Sequence, residues 1–313
     1  MTQYKIKKRI LVTGGSGFIG SAISNFLHKK NYNVIVYDNN YRGKLNRLDK
    51  KIKFIKGDIR NFKKFDQLVK KIKPNTIIHL AYINGTKRFY KLPHIILDIA
   101  VKGLINVFDC AIKYNVKNIF LASSSEVYNI AKQIPTPENI ELKIPDVHNP
   151  RFSYSGGKIL TEIMGINYGK KYFKKLIIFR PHNVYGKDMG GEHVIPELIE
   201  KIKNTKNKIL KIQGTGRETR SFIHIDDFTE AFYKIFRKGK HLNIYNIGTQ
   251  EEIKIKELAK IILGKCKKKL KILYCKGKSG SPFRRCPDTR KLKKLGFKYK
   301  ISISSGIEKI LSI

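Results

Sequence analysis

The sequence has few cysteines and few acidic residues, and it has no long apolar run. Its 313 residues include four cysteines. They form no CxxC pair and have no histidine at zinc-like spacing, so we expect a reduced protein without disulfides or a metal site. Because no run reaches about 18 apolar residues, no membrane-spanning helix is expected. The basic N-terminal stretch has no small-residue cleavage site, so we expect no signal peptide and a cytoplasmic location.

Acidic residues are outnumbered by basic ones. The chain has 24 Asp and Glu residues and 65 Lys and Arg residues, which gives a formal net charge of +41. An excess of this size invites a nucleic-acid hypothesis. The basic residues, however, are spread from end to end, without a basic tail, an RNA-binding signature or a basic block interleaved with aromatics. A solvated surface explains them better than a polyanion site, so no nucleic-acid partner is predicted.

Apolar strands and amphipathic helices alternate along the first part of the chain. Apolar runs predict strands at Arg9–Thr13, Val34–Tyr37, Lys53–Ile55, Thr76–Leu80, Asn118–Ala122 and Leu176–Phe179. Apolar residues at helical spacing predict helices at Gly17–Lys29, Phe62–Ile72, Ile95–Ala111 and Ser153–Tyr172. This order predicts an α/β fold, a doubly wound parallel sheet with helices on both faces. After Pro181 the pattern loosens, so we predict a first domain at 1–180, with return segments near 220–248, and a smaller C-terminal lobe at 181–313.

A glycine-rich turn follows the first predicted strand. Gly14, Gly17 and Gly20 form a GxxGxxG before the first predicted helix. Glycines let the backbone turn tightly and approach a pyrophosphate at the positive end of a helix. Asp38 ends the second predicted strand, where a carboxylate accepts hydrogen bonds from the adenosine ribose. These features predict NAD, and Arg42 nearby leaves NADP open.

Tyr154 and Lys158 lie four residues apart on a predicted helix, so their side chains share one face. A sugar alcohol becomes a good hydride donor only when a base removes its proton. A free tyrosine has a pKa near ~10, too high for this role at neutral pH. An ammonium one turn away and the positive nicotinamide of NAD⁺ would stabilise the phenolate and lower that pKa. Ser124, just after the strand Asn118–Ala122, could hydrogen-bond the same substrate oxygen.

Motifs along nearly the whole chain resemble the extended short-chain dehydrogenase/reductase family. In order, they are TGGSGFIG (13–20), GDIR (57–60), HLAY (79–82), SSSEVY (123–128), YSGGK (154–158), RPHNVYG (180–186), TRSFIHIDD (219–227), YNIG (245–248) and RRCPD (284–288). The resemblance implies a Rossmann NAD domain and a C-terminal nucleotide-sugar lobe. The cofactor contacts it implies are Gly14, Gly17, Phe18, Ile19, Asp38, Asn39, Asp58, Ile59, Leu80, Ala81, Tyr154 and Lys158.

The activity implied by this resemblance is that of an NAD-dependent nucleotide-sugar epimerase/dehydratase, which oxidises the sugar at C4 by hydride transfer to bound NAD. The catalytic residues it implies are Ser124, Glu126, Tyr154 and Lys158. The substrate contacts that it implies are Ser124, Ser125, Asn183, His193, Val194, Arg220 and Arg284. Arginine suits a diphosphate because its planar guanidinium forms paired hydrogen bonds with phosphate oxygens. The resemblance also implies a UDP or GDP sugar as the substrate and a homodimer formed by the helices at 95–111 and 153–172. It implies a place in bacterial surface-polysaccharide synthesis.

The step after oxidation stays open. Glu126 stands where 4,6-dehydratases and uronate decarboxylases have a catalytic base or polar partner, whereas Ser125 replaces the acidic Asp of dTDP-glucose dehydratases. Epimerisation, dehydration, decarboxylation of a UDP-glucuronate-type substrate and release of the keto sugar by a 4-dehydrogenase are the alternatives. Outside the enzyme class, a non-catalytic NAD(P)-binding sensor or an RNA-binding relative is the competing hypothesis. The intact Ser124, Tyr154 and Lys158 argue against it.

The sequence departs from the family pattern inside YSGGK. Gly156 and Gly157 stand where bulkier residues and a serine are common, and Ala100 stands where many relatives have Asn. Two glycines weaken a helix locally, or they let a ligand or a neighbouring element come close.

Overall fold

A computed structural model of the chain describes residues 8–205, 208–275 and 282–312. The chain divides into two compact units. The first unit consists of Met1–Ser124, Asp146–Arg180 and Ile235–Ile244, and the second consists of Ser125–Pro145, Pro181–Lys234 and Tyr245–Ile313. The sequence analysis placed residues 125–145 in the first domain, whereas they belong to the second unit. The later segment that belongs to the first unit is 235–244, within the range of 220–248 predicted from sequence.

The secondary-structure elements of the described residues alternate as the sequence predicts. The strands are β1 (Arg9–Thr13), β2 (Asn33–Asp38), β3 (Lys53–Lys56), β4 (Thr76–His79), β5 (Asn118–Ala122), β6 (Lys175–Pro181), β7 (Val184–Tyr185), β8 (Ile209–Gln213), β9 (Thr219–Ser221), β10 (Ile223–His224), β11 (Ile244–Ile247), β12 (Glu252–Lys254), β13 (Lys271–Cys275) and β14 (Arg284–Arg285). The helices are α1 (Phe18–Lys29), α2 (Phe62–Ile72), α3 (Thr86–Lys91), α4 (Pro93–Asp98), α5 (Leu104–Lys113), α6 (Phe152–Tyr172), α7 (Val194–Asn204), α8 (Ile225–Lys238), α9 (Ile255–Lys265), α10 (Arg290–Lys294) and α11 (Ile303–Leu311).

The main sheet has seven strands in the order β11-β6-β5-β4-β1-β2-β3. Five neighbouring pairs in this order are parallel: β6–β5, β5–β4, β4–β1, β1–β2 and β2–β3. Strands β1, β4 and β5 are buried almost throughout, as expected for parallel strands covered by helices on both faces. This arrangement confirms the predicted doubly wound α/β sheet. It also places the segments that follow β1 to β5 at the carboxyl ends of the parallel strands, where ligands bind in such folds.

Helix α2 illustrates how local sequence sets an element. The Asn61 side chain accepts a hydrogen bond from the Lys64 N–H at 3.0 Å, so it caps the helix start. Phe65, Leu68, Val69 and Ile72 are buried at helical spacing, and they belong to the core cluster of the first unit. The sequence therefore predicts both the ends and the buried face of this helix.

The helix predicted at Ile95–Ala111 is interrupted, which corrects the sequence analysis. Helices α4 and α5 are separated by a π-helical stretch, Ile99–Gly103. A Cβ on Gly103 would come within 2.4 Å of the Ile59 side chain, so glycine permits close packing there. Apolar spacing cannot distinguish a regular α-helix from one with such an insertion, because the wider turn displaces the pattern by a single residue.

The second unit contains smaller sheets. Strands β12-β9-β14 form one of them, and the parallel pairs β7–β10 and β8–β13 form two others. Its core combines helices α7, α9 and α11 with strand β8, and it includes buried Leu198, Ile202, Leu210, Leu258 and Ile307. Cys110, Cys266, Cys275 and Cys286 are free thiols. Among the described helices, none is both long enough and apolar enough to cross a membrane.

Candidate active site

The glycine-rich turn after β1 lies against the segment that follows β4. Gly14 has a φ of +72°, and a Cβ on it would come within 2.5 Å of the Ala81 nitrogen. A Cβ on Gly20 would come within 2.1 Å of the Gly14 carbonyl oxygen. Glycine is therefore required at both positions, and the turn closes tightly at the positive N-terminal end of α1. Such a cradle fits the pyrophosphate of a dinucleotide.

Asp38 connects the end of β2 to this turn. Its Oδ2 accepts a hydrogen bond from the Ser16 N–H at 3.1 Å, and its Oδ1 accepts one from the Asn40 N–H at 2.8 Å. A carboxylate has about four lone-pair positions, so both oxygens retain capacity for the ribose hydroxyls of a dinucleotide. Phe18 and Ile19, two further predicted cofactor contacts, are half-buried in the first turn of α1.

Asp58 forms an ion pair that the sequence analysis did not foresee. Its Oδ2 lies 2.8 Å from an Arg60 Nη, and Asn39 donates a hydrogen bond to the same oxygen at 3.1 Å. Arg60 also reaches Asp98 at 3.0 Å. The hydrogen bond from Arg60 holds the pKa of Asp58 below its ordinary value. Asn39 and Asp58 are thus brought together, next to buried Ile59.

Tyr154 and Lys158 are both buried on helix α6. The Lys158 ammonium donates a hydrogen bond to the Ala122 carbonyl oxygen at 2.7 Å, at the end of β5 and two residues before the buried Ser124. Lys158 Nζ lies 5.9 Å from the centre of the Tyr154 ring. Burial lowers the pKa of Lys158 to about 7, while the negative charge of Glu162 acts in the opposite direction. The structure therefore groups the predicted Tyr–Lys pair at the end of β5.

Tyr82, the last residue of the HLAY motif, is an aromatic neighbour of this pair to which the resemblance assigns no role. Its ring lies edge-on to the Tyr154 ring at 5.2 Å, and Phe89 stacks on Tyr154 at 4.7 Å. Lys158 Nζ lies 3.8 Å from the centre of the Tyr82 ring. A Cβ on Gly157 would come within 2.1 Å of the Tyr82 hydroxyl. The unusual glycine in YSGGK therefore makes room for Tyr82.

Glu162 and Arg180 form a buried ion pair, which the sequence analysis also missed. Arg180 donates from Nε to Oε1 at 2.8 Å and from Nη2 to Oε2 at 2.5 Å, and the Ser123 hydroxyl donates to Oε1 as well. A signal for Glu162 was present in the sequence. It is four residues after Lys158, so it continues the helix face that carries Tyr154 and Lys158.

In the second unit, Glu126 is engaged with an arginine. Arg285 Nη1 donates a hydrogen bond to Glu126 Oε1, and both side chains are largely buried. The Arg285 Nε is buried without a hydrogen-bond partner among the described residues. Ser125, the residue before Glu126, is buried too. Glu126 is therefore held by the RRCPD segment, which the sequence alone does not indicate.

The other predicted substrate residues of this unit lie around β9 and β14. These two strands pair in parallel, with Arg284 opposite Thr219 and Arg285 opposite Arg220. Arg220 donates to the carbonyl oxygens of Thr219, Phe283 and Pro282 at 2.7–3.1 Å. Arg284 Nη2 lies 2.5 Å from Glu252 Oε1. The predicted arginines are thus neighbours in one small sheet.

Asn183, His193 and Val194 complete the predicted substrate set. Asn183 has a φ of +38° and donates a hydrogen bond to the Ser221 carbonyl oxygen at 2.8 Å, so it lies beside β9. His193 is the residue before helix α7, and Val194 begins that helix with a partly exposed side chain. No group of His, Cys, Asp or Glu within the described ranges could hold a metal ion.

Comparison with known proteins agrees with this geometry. The doubly wound sheet, the glycine cradle and the Tyr154–Lys158 pair are features of an extended short-chain dehydrogenase/reductase. Residues 10–248 match the NAD dependent epimerase/dehydratase family. The chain belongs to this family. It is therefore an enzyme of the nucleotide-sugar epimerase/dehydratase type and its cofactor is NAD, which confirms both predictions.

Its relatives include both epimerases and dehydratases. A protein described as putative UDP-glucose 4-epimerase, from Methanocaldococcus jannaschii, is 32% identical over 307 residues, 97% of each chain. The dTDP-D-glucose 4,6-dehydratase of Dictyostelium discoideum is 32% identical over 269 residues, 82% of this chain and 62% of the relative. The crystal structure of UDP-glucose 4-epimerase from Thermotoga maritima with UDP-glucose is 27% identical, with a TM-score of 0.89 over 97% of each chain.

Proposed function

We propose that the chain oxidises the C4 hydroxyl of a nucleotide-diphosphate sugar, with Tyr154 as the proton acceptor. The observation that carries this proposal is the buried Tyr154–Lys158 pair, in which the Ala122 carbonyl fixes the ammonium at the end of β5. Bound NAD supplies the acceptor for the hydride. The glycine cradle at Gly14 and the carboxylate of Asp38 are the groups that we assign to its pyrophosphate and adenosine ribose.

The protein side of the reaction needs three groups. Tyr154, ionised, takes the proton of the sugar hydroxyl, and Lys158, charged, stabilises that phenolate. Because burial brings the pKa of Lys158 to about 7, charged and neutral forms coexist near neutral pH and small changes around the ammonium alter their ratio. Ser124 would donate a hydrogen bond to the reacting oxygen as its charge changes, a role suited to a hydroxyl at the end of β5.

The second unit is assigned to the nucleotide diphosphate. We propose that Arg220 and Arg284 bind phosphate oxygens, together with Asn183, and that Ser125, His193 and Val194 contact the rest of the substrate. Arg220 is the better supported of the two arginines, because Asn183 donates to the Ser221 carbonyl oxygen beside it. Arg285 also lies opposite Arg220 on the same face of the small sheet, whereas Arg284 lies opposite Thr219. The relatives named for UDP-glucose make a UDP sugar the first candidate, the dTDP-glucose 4,6-dehydratases support a dTDP sugar, and a GDP sugar rests on the resemblance of the motifs alone.

Epimerisation is the outcome that we propose first for the step after oxidation. The ion pair between Glu126 and Arg285 supports it. The Arg285 guanidinium stabilises the carboxylate form of Glu126, which makes Glu126 a weaker base for the C–H next to the ketone, whose proton dehydration must remove. Epimerisation needs only the return of the hydride to the opposite face of the ring, which uses Tyr154 and Lys158 again.

The experiment that tests this function is incubation of the purified protein and NAD with UDP, GDP, dTDP and CDP sugars, followed by mass spectrometry and NMR. Epimerisation gives a new isomer of the same mass, dehydration gives a product lighter by one water, and decarboxylation gives one lighter by carbon dioxide. Release of the keto sugar gives a product lighter by two hydrogens. An isomer formed by the parent protein but not by Tyr154→Phe is expected. Full activity of Tyr154→Phe on the same sugar would contradict the mechanism.

A homodimer is also proposed, formed through the helices predicted at 95–111 and 153–172. Leu97 on α4 is 42% exposed and Ile163 on α6 is 55% exposed, and apolar side chains on neighbouring helices suit burial against a second copy. Light scattering at working concentration tests this, since a monomeric mass would reject it. Synthesis of surface-polysaccharide sugars in the bacterial cytoplasm is the setting proposed from the family resemblance.

A further inference from the structure

The Tyr82 ring lies closer to the Lys158 ammonium than the Tyr154 ring does. Lys158 Nζ is 3.8 Å from the centre of the Tyr82 ring and 5.9 Å from the centre of the Tyr154 ring. An ammonium within about 6 Å of an aromatic ring face is attracted by the negative charge of that face, and the attraction grows when water is excluded. Lys158 is 3% exposed. The Tyr82 ring therefore contributes directly to the stability of the charged form.

Lys158 has few other groups that favour its charge. An ammonium has three N–H donors, and within the part of the chain that the structure describes, its hydrogen bond is the one to the Ala122 carbonyl oxygen. Glu162 attracts the ammonium, but Arg180 partly cancels the charge of Glu162. A buried ammonium with this set of neighbours loses much of its hydration, so a ring face at 3.8 Å is a substantial part of what replaces water.

Gly157 makes this arrangement possible. A Cβ at residue 157 would come within 2.1 Å of the Tyr82 hydroxyl and within 2.8 Å of the Ala100 Cβ. Gly157 is inside helix α6 and its φ is not positive, so space, and not backbone freedom, explains the glycine. Tyr82, Gly157 and Ala100 therefore form one packing unit beside Lys158, in which two small residues admit one large ring.

We propose that Tyr82 is a positioning residue for Lys158, whose ring face holds the ammonium charged and in place beside Tyr154. The proposal rests on the function proposed above for Tyr154 and Lys158. The ring, and not the hydroxyl, carries this role, because the hydroxyl is buried without a hydrogen-bond partner among the described residues. Tyr82 thus acts through Lys158 and is assigned no contact with the reacting atoms.

Two substitutions separate the ring from the hydroxyl. Tyr82→Phe keeps the ring, so it should keep the parent kcat. Tyr82→Leu removes the ring and keeps an apolar side chain, so the fraction of protein with Tyr154 ionised and Lys158 charged should fall. From the usual strength of a cation–π contact, we expect kcat at neutral pH to fall by about 3- to 30-fold. The KM for the nucleotide sugar should not change, because Tyr82 is assigned no substrate contact.

A titration without substrate gives a second readout. Tyrosinate absorbance is measured against pH for the parent, Tyr82→Phe and Tyr82→Leu. From each curve, the curve of the same protein with Tyr154→Phe added is subtracted. The difference reports the ionisation of Tyr154. Tyr154 should ionise at higher pH in Tyr82→Leu, because a smaller fraction of Lys158 is charged there. In Tyr82→Phe it should ionise at the same pH as in the parent. Should Tyr82→Leu not fold, as judged by circular dichroism, Tyr82→Met replaces it, since it also lacks a ring.

The outcomes distinguish this proposal from the proposed function. Identical kcat values and identical Tyr154 titrations for the Phe variant and the ring-less variant would overturn the role of Tyr82. Full activity of Tyr154→Phe and Lys158→Met would overturn the proposed function instead, whereas the titration would still report whether the Tyr82 ring supports the ammonium. A reduced kcat with an unchanged titration would also reject the proposal, because a ring that holds Lys158 charged must affect Tyr154 ionisation.

Discussion

The buried ion pair of Glu162 with Arg180 should make Glu162→Gln strongly destabilising. Arg180 is 1% exposed and Glu162 is 4% exposed. The carboxylate accepts two hydrogen bonds from the guanidinium and a third from the Ser123 hydroxyl. A glutamine keeps the shape, but it removes the negative charge and presents an NH₂ group where an acceptor is needed. The buried guanidinium would then lose the negative charge of this partner.

The expected magnitude follows from this geometry. Removing one partner of a buried ion pair typically costs about 3–5 kcal/mol, since the charge that remains has already lost its hydration. Replacing both partners by apolar residues of similar volume is far milder and is sometimes stabilising. We therefore expect Glu162→Gln to lower the free energy of unfolding by about 3–5 kcal/mol, and the double variant Glu162→Leu/Arg180→Met to lower it by less.

Urea unfolding followed by circular dichroism measures these differences. The matched control is Glu197→Gln, which removes the carboxylate of an exposed i,i+4 pair with Lys201, whose two groups lie 2.7 Å apart. An exposed pair of this kind contributes about 0.3–0.5 kcal/mol, so the control should unfold almost as the parent does. A loss below about 1 kcal/mol for Glu162→Gln would refute the reasoning, because it would mean that the guanidinium finds water or another partner.

Three further predictions concern the same unit. Gly14→Ala should abolish NAD binding measured by calorimetry, because its Cβ would meet the Ala81 backbone at 2.5 Å; Gly264→Ala, where a Cβ meets nothing within 4 Å, should bind NAD as the parent does, and equal affinity of both variants would reject the argument. Gly157→Ala should lower the free energy of unfolding by about 1–3 kcal/mol through overpacking. Tyr82→Phe should recover part of this loss, since the nearest contact is the Tyr82 hydroxyl; no recovery would contradict that packing. Lys158→Met should stabilise the protein more at pH 6 than at pH 10. The folded pKa of Lys158 is lowered to about 7, so burying the charged form opposes folding fully below pH 7, and this cost fades as pH rises toward the ordinary lysine pKa of about 10.4. Unfolding curves with the same difference at both pH values would show that Lys158 is not buried as a cation.

Much of the first unit could be predicted because its signals are local. The strands β1 and β5 and the helix α2 follow from apolar spacing and caps, and their bounds agree with the sequence analysis. The tight glycine turn after β1 could be predicted as well, since glycines at this spacing between a strand and a helix are typical of a dinucleotide-binding turn. These features depend on residues within one turn or one strand of each other.

The partners of the charged site residues could not be predicted in the same way. Glu126 meets Arg285, 159 positions later, and Arg60 meets Asp98, 38 positions later. No local pattern specifies such pairs, because they arise only when separate elements pack. The hypothesis that Tyr154 and Lys158 act as a pair could be formed from their spacing together with the motifs around them. The ring that accompanies Lys158 was visible only indirectly, through the small residues at positions 100 and 157 that depart from the family pattern.

The charge state of Lys158 connects these observations. Burial lowers its pKa and Glu162 raises it, yet Arg180 partly cancels Glu162 because the two are in contact. A stronger acidic neighbour would fix Lys158 as a permanent cation, and a bare apolar pocket would leave it neutral. A ring face offers a third choice, because it attracts the cation without adding a charge that would repel the Tyr154 phenolate. A carboxylate at position 82 would oppose the ionisation that the reaction needs, so an aromatic side chain is the neighbour that supports both halves of the pair.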